Sequence, residues 1–234
     1  MTDERLIVAL DFHTFDDVKN LVGALGDSVN FYKVGMELFY SVGAGVVEWL
    51  KAQDKKVFLD LKLHDIPNTV AGGLCSLMGL GADILNVHAA GGLTMMRTAA
   101  DALTKEANLR GVARPKLIAI TVLTSIGQAE WYGALSIAEQ VVRFAKQAKD
   151  AGLDGVVASP QEAKLIREAC GKDFLIVTPG IRPAGADIND QSRIATPRAA
   201  LQNGATHLVI GRPIRAAKNP RKAALKILEE IDGV

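Results

Sequence analysis

Asp60, Lys62 and Asp65 lie close together in the segment Val57-Phe-Leu-Asp-Leu-Lys-Leu-His-Asp-Ile-Pro-Asn-Thr69. Its first half is rich in strand-forming apolar residues. Successive side chains on a strand alternate faces, so Asp60 and Lys62 share one face and Leu59, Leu61 and Leu63 take the other. Asp65 follows just past the strand, and Ile66-Pro67 breaks it before a new element begins. A carboxylate, an ammonium and a second carboxylate are thereby expected together where a strand ends, as in a site that stabilises charge and moves a proton. The alternative is an exposed edge strand with a solvated ion pair, worth about 0–1 kcal/mol. The segment alone leaves both readings open.

The elements around it narrow the choice. Short β-branched runs recur at 6–11, 30–34, 57–62, 84–88, 117–123, 155–159, 174–178 and 207–211. Stretches with helical spacing separate them, near 14–25, 36–53, 67–80, 92–107, 136–151, 160–170, 197–203 and 219–232. Asp16, Ser136 and Thr196-Pro197 read as helix starts. Ala151-Gly-Leu-Asp-Gly155 and Asn203-Gly-Ala-Thr206 read as glycine helix ends feeding the next strand. Eight strand–helix units in 234 residues predict an α/β fold, a single (β/α)8 TIM barrel spanning 1–234 as one domain. An open doubly wound sheet would normally place a glycine-rich loop after its first strand; here that strand runs into Ala-Leu-Asp-Phe-His.

In such a barrel the chemistry gathers at the C-terminal strand ends. Those ends carry Asp11, Lys33, Asp60 with Lys62, His88, Thr124, Ser159, Thr178-Pro-Gly-Ile-Arg182 and Gly211-Arg212. Charges ending the first three strands are costly to bury singly. Around one mouth they compensate each other as alternating plus and minus. After the last two strands, glycine lets backbone approach an anion closely and Arg212 can grip a phosphate through two hydrogen bonds. Phosphate commonly binds in these barrels at that place.

Composition sets the bounds. The chain is 49% hydrophobic and 23% charged, with a formal net charge of +1. That balance argues against a broad footprint for nucleic acid or an anionic membrane, while leaving room for a local anion pocket. Cys75 and Cys170 lie far apart and outside metal-ligand spacing, so both are expected as reduced, structural thiols. No His/Asp/Glu set has the spacing of a zinc or two-metal site, so no metal and no cofactor are expected. The early apolar run leaves no room for a secretory leader, no stretch is apolar enough to span a membrane, and a cytoplasmic protein is expected. His13 and His207 are expected to be structural, and Trp49 and Trp131 to serve helix packing and loop cover. His64 is expected to orient the segment around Asp65, and His88 either lines the mouth or packs. The basic stretch 110–116 is expected to be a solvated loop at the barrel's bottom.

With these residues assembled, the chain resembles the orotidine 5′-phosphate decarboxylases. The resemblance rests on Asp60-Leu-Lys-Leu-His-Asp65-Ile-Pro-Asn-Thr69. Tyr32-Lys33-Val-Gly, Asn86-Val-His88-Ala, Thr121-Val-Leu-Thr124-Ser, Thr178-Pro-Gly-Ile-Arg182, Asp190-Gln191 and Gly211-Arg-Pro-Ile214 support it. It runs nearly end to end and looks like the bacterial, unfused form. It implies decarboxylation of orotidine 5′-monophosphate to UMP in pyrimidine synthesis, without a metal or cofactor. It further implies that Lys62 donates the proton, with Lys33, Asp60 and Asp65 as charged partners. Asp11 and Lys33 would contact the ribose, and Thr124 the pyrimidine. Arg182, Gln191, Gly211 and Arg212 would hold the phosphate, with the 182–196 loop closing over it. Asp65, with Ile66 and Thr69, would reach into a partner subunit's site in a homodimer.

Two rivals remain at this point. Related sugar-phosphate decarboxylases and aldolases keep an Asp-x-Lys pair but use Mg²⁺, typically with a glutamate near the end of strand two. Lys33 stands there in this chain and would repel a cation. A non-catalytic barrel that only binds a phosphorylated ligand is the other, and the intact Asp60/Lys62/Asp65 set argues against it.

Overall fold

Alternation of apolar strands with amphipathic helices leaves one economical solution, in which a parallel sheet closes on itself and the helices cover its outside. The computed structural model describes residues 3–183 and 195–234 and has this form. Its strands are β1 (Leu6–Ala9), β2 (Phe31–Gly35), β3 (Lys56–Leu63), β4 (Ile84–His88), β5 (Lys116–Ile120), β6 (Gly155–Val157), β7 (Leu175–Thr178) and β8 (His207–Ile210). All neighbours pair in parallel, and β8 returns to β1 to close the barrel.

The helices that follow them are α1 (Phe15–Leu25), α2 (Met36–Val42), α3 (Gly45–Ala52), α4 (Pro67–Met78), α5 (Gly92–Arg110), α6 (Ile137–Asp150), α7 (Ala163–Cys170), α8 (Pro197–Gln202), α9 (Arg212–Arg215) and α10 (Pro220–Asp232). None is long and apolar enough to cross a membrane.

Two apolar clusters show the alternation at work. Inward residues Ile7, Ala9, Phe31, Phe58, Ile84, Ile118, Val177 and Val209 fill the barrel. Outward residues such as Val8, Tyr32, Leu59, Leu61, Leu85 and Leu208 pack beneath the helices. Phe58 faces inward, so Asp60 lies two residues further toward the mouth on the same face. Gly155 marks a close strand approach, because a Cβ there would stand 2.4 Å from the Leu175 backbone.

Local signals held at most helix ends. Ser136 and Glu139 form a reciprocal capping box on α6. Thr196 caps α8 with Pro197 in its first turn. Gly152 and Gly204 take positive φ after α6 and α8. Four expectations need correction. Thr14, not Asp16, caps α1, with its hydroxyl accepting from the Asp17 N–H at 3.2 Å; Asp16 sits inside the first turn, where a carboxylate suits the helix dipole. The stretch 36–53 is two helices, because Gly43 takes φ +76° and ends the first. The third is α7, which starts at Ala163 and not at 160, since Ser159 first forms a turn by accepting from the Gln161 N–H. The fourth is the basic stretch at the bottom, which is not simply solvated. Arg114 and Lys116 bind Asp154 at 2.6 and 3.0 Å, and that carboxylate also accepts from the Leu117 N–H.

Both cysteines are free. Trp49 packs edge-on against Phe15, and Trp131 donates to the Leu135 carbonyl and stacks on Tyr132. His13 makes an exposed pair with Glu37, and His207 stands edge-on to Phe31 at the start of β8.

Candidate active site

Four charges meet at the mouth in an alternating row. Lys33 Nζ lies 3.1 Å from Asp11 Oδ1 and 3.4 Å from Asp60 Oδ2, and Lys62 Nζ lies 2.7 Å from Asp60 Oδ1. The Lys33 and Asp60 side chains are only 12% and 9% exposed. Removing an ion this far from water costs several kcal/mol, so the row persists only because each charge has opposite neighbours. Burial alone would favour neutral Lys33, but the Asp60 and Asp11 charges and hydrogen bonds outweigh it and hold the ammonium above its ordinary range. Burial likewise opposes ionised Asp60. The Lys33 and Lys62 charges, with hydrogen bonds from Lys62 and Asn86, reverse that and hold the carboxyl below its ordinary range. The row is a fixed array of charge.

Its construction departs from a regular strand. β3 pairs with β4 through Leu59↔Leu85 and then Leu63↔Val87, so four steps on β3 face two on β4. Within this bulge Lys62 adopts φ +52°, a left-handed conformation that non-glycine residues rarely take. Bulges often re-aim a side chain next to an active site. Gly35, on the neighbouring β2, leaves space for the row: a Cβ there would stand 2.7 Å from Lys33 Nζ.

Lys33, Asp60 and Lys62 line one cavity with Phe58, Ile120, Val122, Leu123, Thr124, Val157, Pro179 and Val209. A second cavity shares Lys33, Pro179 and Val209 with it and continues to Asp11, Gly180, Arg182, Gly211 and Arg212. One end therefore offers a mostly apolar cavity with paired charges. The other offers two guanidiniums and glycine backbone. Burial and the nearby Arg212 charge both pull Arg182 below its ordinary pKa, so an anion placed between these cations would relieve both.

Thus Asp11, Lys33, Asp60, Lys62, Thr124, Arg182, Gly211 and Arg212 come together as the sequence predicts. Gln191 lies outside the described residues. Asp65 corrects an expectation, because within its own chain it does not join the row. It is exposed, and its Oδ1 accepts from the Ile66 N–H at 2.7 Å. The chain turns outward at Ile66-Pro67 to start α4, and Ile66 (68% exposed) and Thr69 are exposed with it. His88 is half-buried at the end of β4, its ring 5.4 Å from that of His64. Burial and the neighbouring His64 and Lys62 charges lower its pKa. Among the described residues no cluster of three or more His, Cys, Asp or Glu could hold a metal ion.

The chain is similar to known proteins over nearly its whole length. The family model for "Orotidine 5'-phosphate decarboxylase / HUMPS family" matches residues 4–227. The chain belongs to this family. Its relatives include an orotidine 5′-phosphate decarboxylase of Moorella thermoacetica, 49% identical over 99% of this chain and 93% of the relative. Another, from a Geobacter species, is 49% identical over 97% of this chain and 96% of its own length. Among solved structures, the crystal structure of orotidine 5′-phosphate decarboxylase from Lactobacillus acidophilus superposes with a TM-score of 0.86 at 44% identity, covering 98% of this chain and 100% of that one. Similarity to the family thus covers the barrel from β1 to α10.

Sequence reasoning missed Asn86 as part of the site. A signal was present: Ile84 faces into the barrel, so Asn86 and His88 share that inward parity. A polar residue at an inward position of a buried strand requires partners.

Proposed function

We propose that this protein, working as one catalytic domain, decarboxylates orotidine 5′-monophosphate to UMP and carbon dioxide. The observation that carries this is the Asp11–Lys33–Asp60–Lys62 row, which runs from a cavity lined by Lys62 and Thr124 into an adjoining one lined by Arg182 and Arg212, with Lys33 lining both. Close relatives bearing that activity in their names support it.

The chemistry follows from the charges. Loss of carbon dioxide leaves the bond's electron pair on C6 of the pyrimidine, in an orbital not conjugated with the ring carbonyls. A fixed ammonium at C6 stabilises that pair and then supplies the proton, so Lys62 is both electrostatic partner and general acid. Solvent returns the proton to Lys62 afterwards. Asp60, near the departing carboxylate, is repulsive in the ground state and relieved as carbon dioxide leaves. Asp11 and Lys33 bind the ribose, and Thr124 reads the base. Arg182, Gly211, Arg212 and Gln191, within the 182–196 segment, bind the phosphate, whose remote contacts hold the base in the charged pocket. Lys33 is flanked by Lys62 across Asp60, which disfavours a divalent cation there, and the reaction is proposed to run without metal or cofactor.

The test is the decay of the orotidine 5′-monophosphate pyrimidine absorbance with EDTA present. Undiminished turnover in EDTA is the expected result. Loss of activity on chelation would favour the magnesium-dependent sugar-phosphate decarboxylases and aldolases, and binding without turnover a phosphate-ligand barrel.

The exposed Asp65–Ile66–Thr69 edge supports a homodimer with shared sites, each subunit lending Asp65 to its partner, and the pyrimidine-synthesis reading goes with a cytoplasmic location. A two-fold interface places the same residue reciprocally in both sites. Lys62→Ala and Asp65→Ala homodimers should then each be nearly inactive. Mixed dimers carry one doubly damaged and one intact site. A 1:1 mixture should recover roughly a quarter of wild-type activity, since about half its dimers are mixed. No recovery, once subunit exchange is verified by a tag pull-down, would place Asp65 in its own subunit's site.

A further inference from the structure

Asn86 on β4 is buried, 2% exposed, and does not line the cavity. Its Oδ1 accepts the Lys62 backbone N–H at 2.7 Å, and its Nδ2 donates to Asp60 Oδ1 at 2.6 Å. The same carboxylate oxygen accepts from Lys62 Nζ at 2.7 Å. The orientation of the amide is forced, because a backbone N–H only donates and an ionised carboxylate only accepts. The bulge in β3 takes the Lys62 N–H out of the ladder with β4, and a buried N–H without an acceptor is costly. The Asn86 side chain supplies that acceptor where Lys62 holds φ +52°.

We propose that Asn86 is a positioning residue for the decarboxylation, fixing both Asp60 and Lys62 through one side-chain amide. The proposal rests on the reading of this site given above. Asn86 holds the backbone from which the ammonium projects and the carboxylate against which it rests, without itself touching substrate. Loss of the amide frees Lys62 to leave the left-handed region and Asp60 to turn. The reacting groups lose alignment while the distant phosphate grip is unaffected, so kcat falls and KM hardly moves.

Asn86→Asp gives the sharper test, because it keeps size and shape. The titratable groups around this position are Asp60 and Lys62 on β3, Lys33 beyond Asp60 on β2, and His88 with its neighbour His64. On the other side β5 places Ile118 beside Asn86, with Lys116 only at its far end. The introduced carboxyl would sit in hydrogen-bond reach of the Asp60 carboxylate, and burial with a like charge raises the pKa of such a carboxyl, while Lys62 moderates the rise. Below that pKa the protonated group donates to Asp60 and accepts from Lys62 N–H, as the amide does. Above it two carboxylates repel and the donor is gone. Activity is therefore present at low pH and lost as pH rises.

The experiment measures kcat and KM of wild type, Asn86→Ala and Asn86→Asp with orotidine 5′-monophosphate from about pH 5 to 9, alongside thermal midpoints, and solves the Asn86→Ala crystal structure. Expected are a kcat loss of about 10–100-fold in Asn86→Ala with KM changed less than about threefold, and a fall in Asn86→Asp kcat with rising pH that wild type lacks. Lys62 should leave the left-handed region in the Asn86→Ala crystal. The proposal is overturned if Asn86→Ala keeps kcat within threefold, if the Asn86→Asp profile parallels wild type, or if Lys62 and Asp60 stay in place without the amide. Wild type inert toward orotidine 5′-monophosphate would instead sink the functional reading, and the crystal of Asn86→Ala would still decide whether the amide sets Lys62.

Discussion

Lys62→Ala is expected to abolish turnover of orotidine 5′-monophosphate while leaving a folded protein. Two effects vanish together. General acid–base catalysis typically contributes about 10²–10⁴-fold, and one preorganised electrostatic donor about 10²–10³-fold. A loss of at least about 10⁴-fold in kcat follows where both act on the same transition state. The fold should persist for three reasons. Leu59 and Leu61, on the opposite face, stay buried under the helices. Asp60 keeps Lys33 and the Asn86 amide as partners. Alanine at the left-handed position is strained much as lysine is, and Lys62→Gly, which removes that strain, serves as a folding control. Steady-state kinetics with a thermal melt checks this. A well-folded Lys62→Ala protein retaining a tenth of wild-type kcat would remove Lys62 from the chemistry.

Arg212→Ala is expected to separate two substrates. Arg212 lies with Arg182 and Gly211 at the cavity end away from Lys62. A charge-assisted contact of this kind is worth roughly 1.5–3 kcal/mol, about 10–150-fold in kcat/KM for the phosphorylated substrate at ~1.4 kcal/mol per decade. The slow reaction of the phosphate-free nucleoside never used the contact, so its rate should hardly change. Equal losses for both would mean that Arg212 supports the barrel, where α9 begins, and does not grip phosphate. The comparison isolates remote binding energy from chemistry at C6.

Much of this was legible because it is local. Alternation of apolar residues along a strand decides which side chains face inward, so Phe58, Asp60 and Lys62 could be assigned one face and Leu59 and Leu61 the other before any fold was known. Eight such strands with helices between them imply a closed barrel, and the barrel brings their ends together. Asp11, Lys33, Asp60, Lys62 and Arg212 therefore followed from position alone. Capping at Ser136 and Thr196 was readable for the same reason, since the partner lies three residues away.

The remainder depended on contacts between distant segments. The left-handed backbone of Lys62 exists because β3 gains two residues against β4, and nothing within β3 announces that register. Asn86 looked like an ordinary member of β4 until pairing set its amide against the bulge. Asp65 is carried to the surface where the chain turns outward at Ile66-Pro67, a turn that the proline already announces, but which charges it meets is decided beyond its own segment. The sequence by itself determined the barrel, the inward charges and the glycine–arginine ends of the last two strands, because period-two alternation and turn chemistry are short-range. Tertiary structure alone decided which charges touch and how Lys62 is held, because strand register is set by the whole closed sheet and by no single strand.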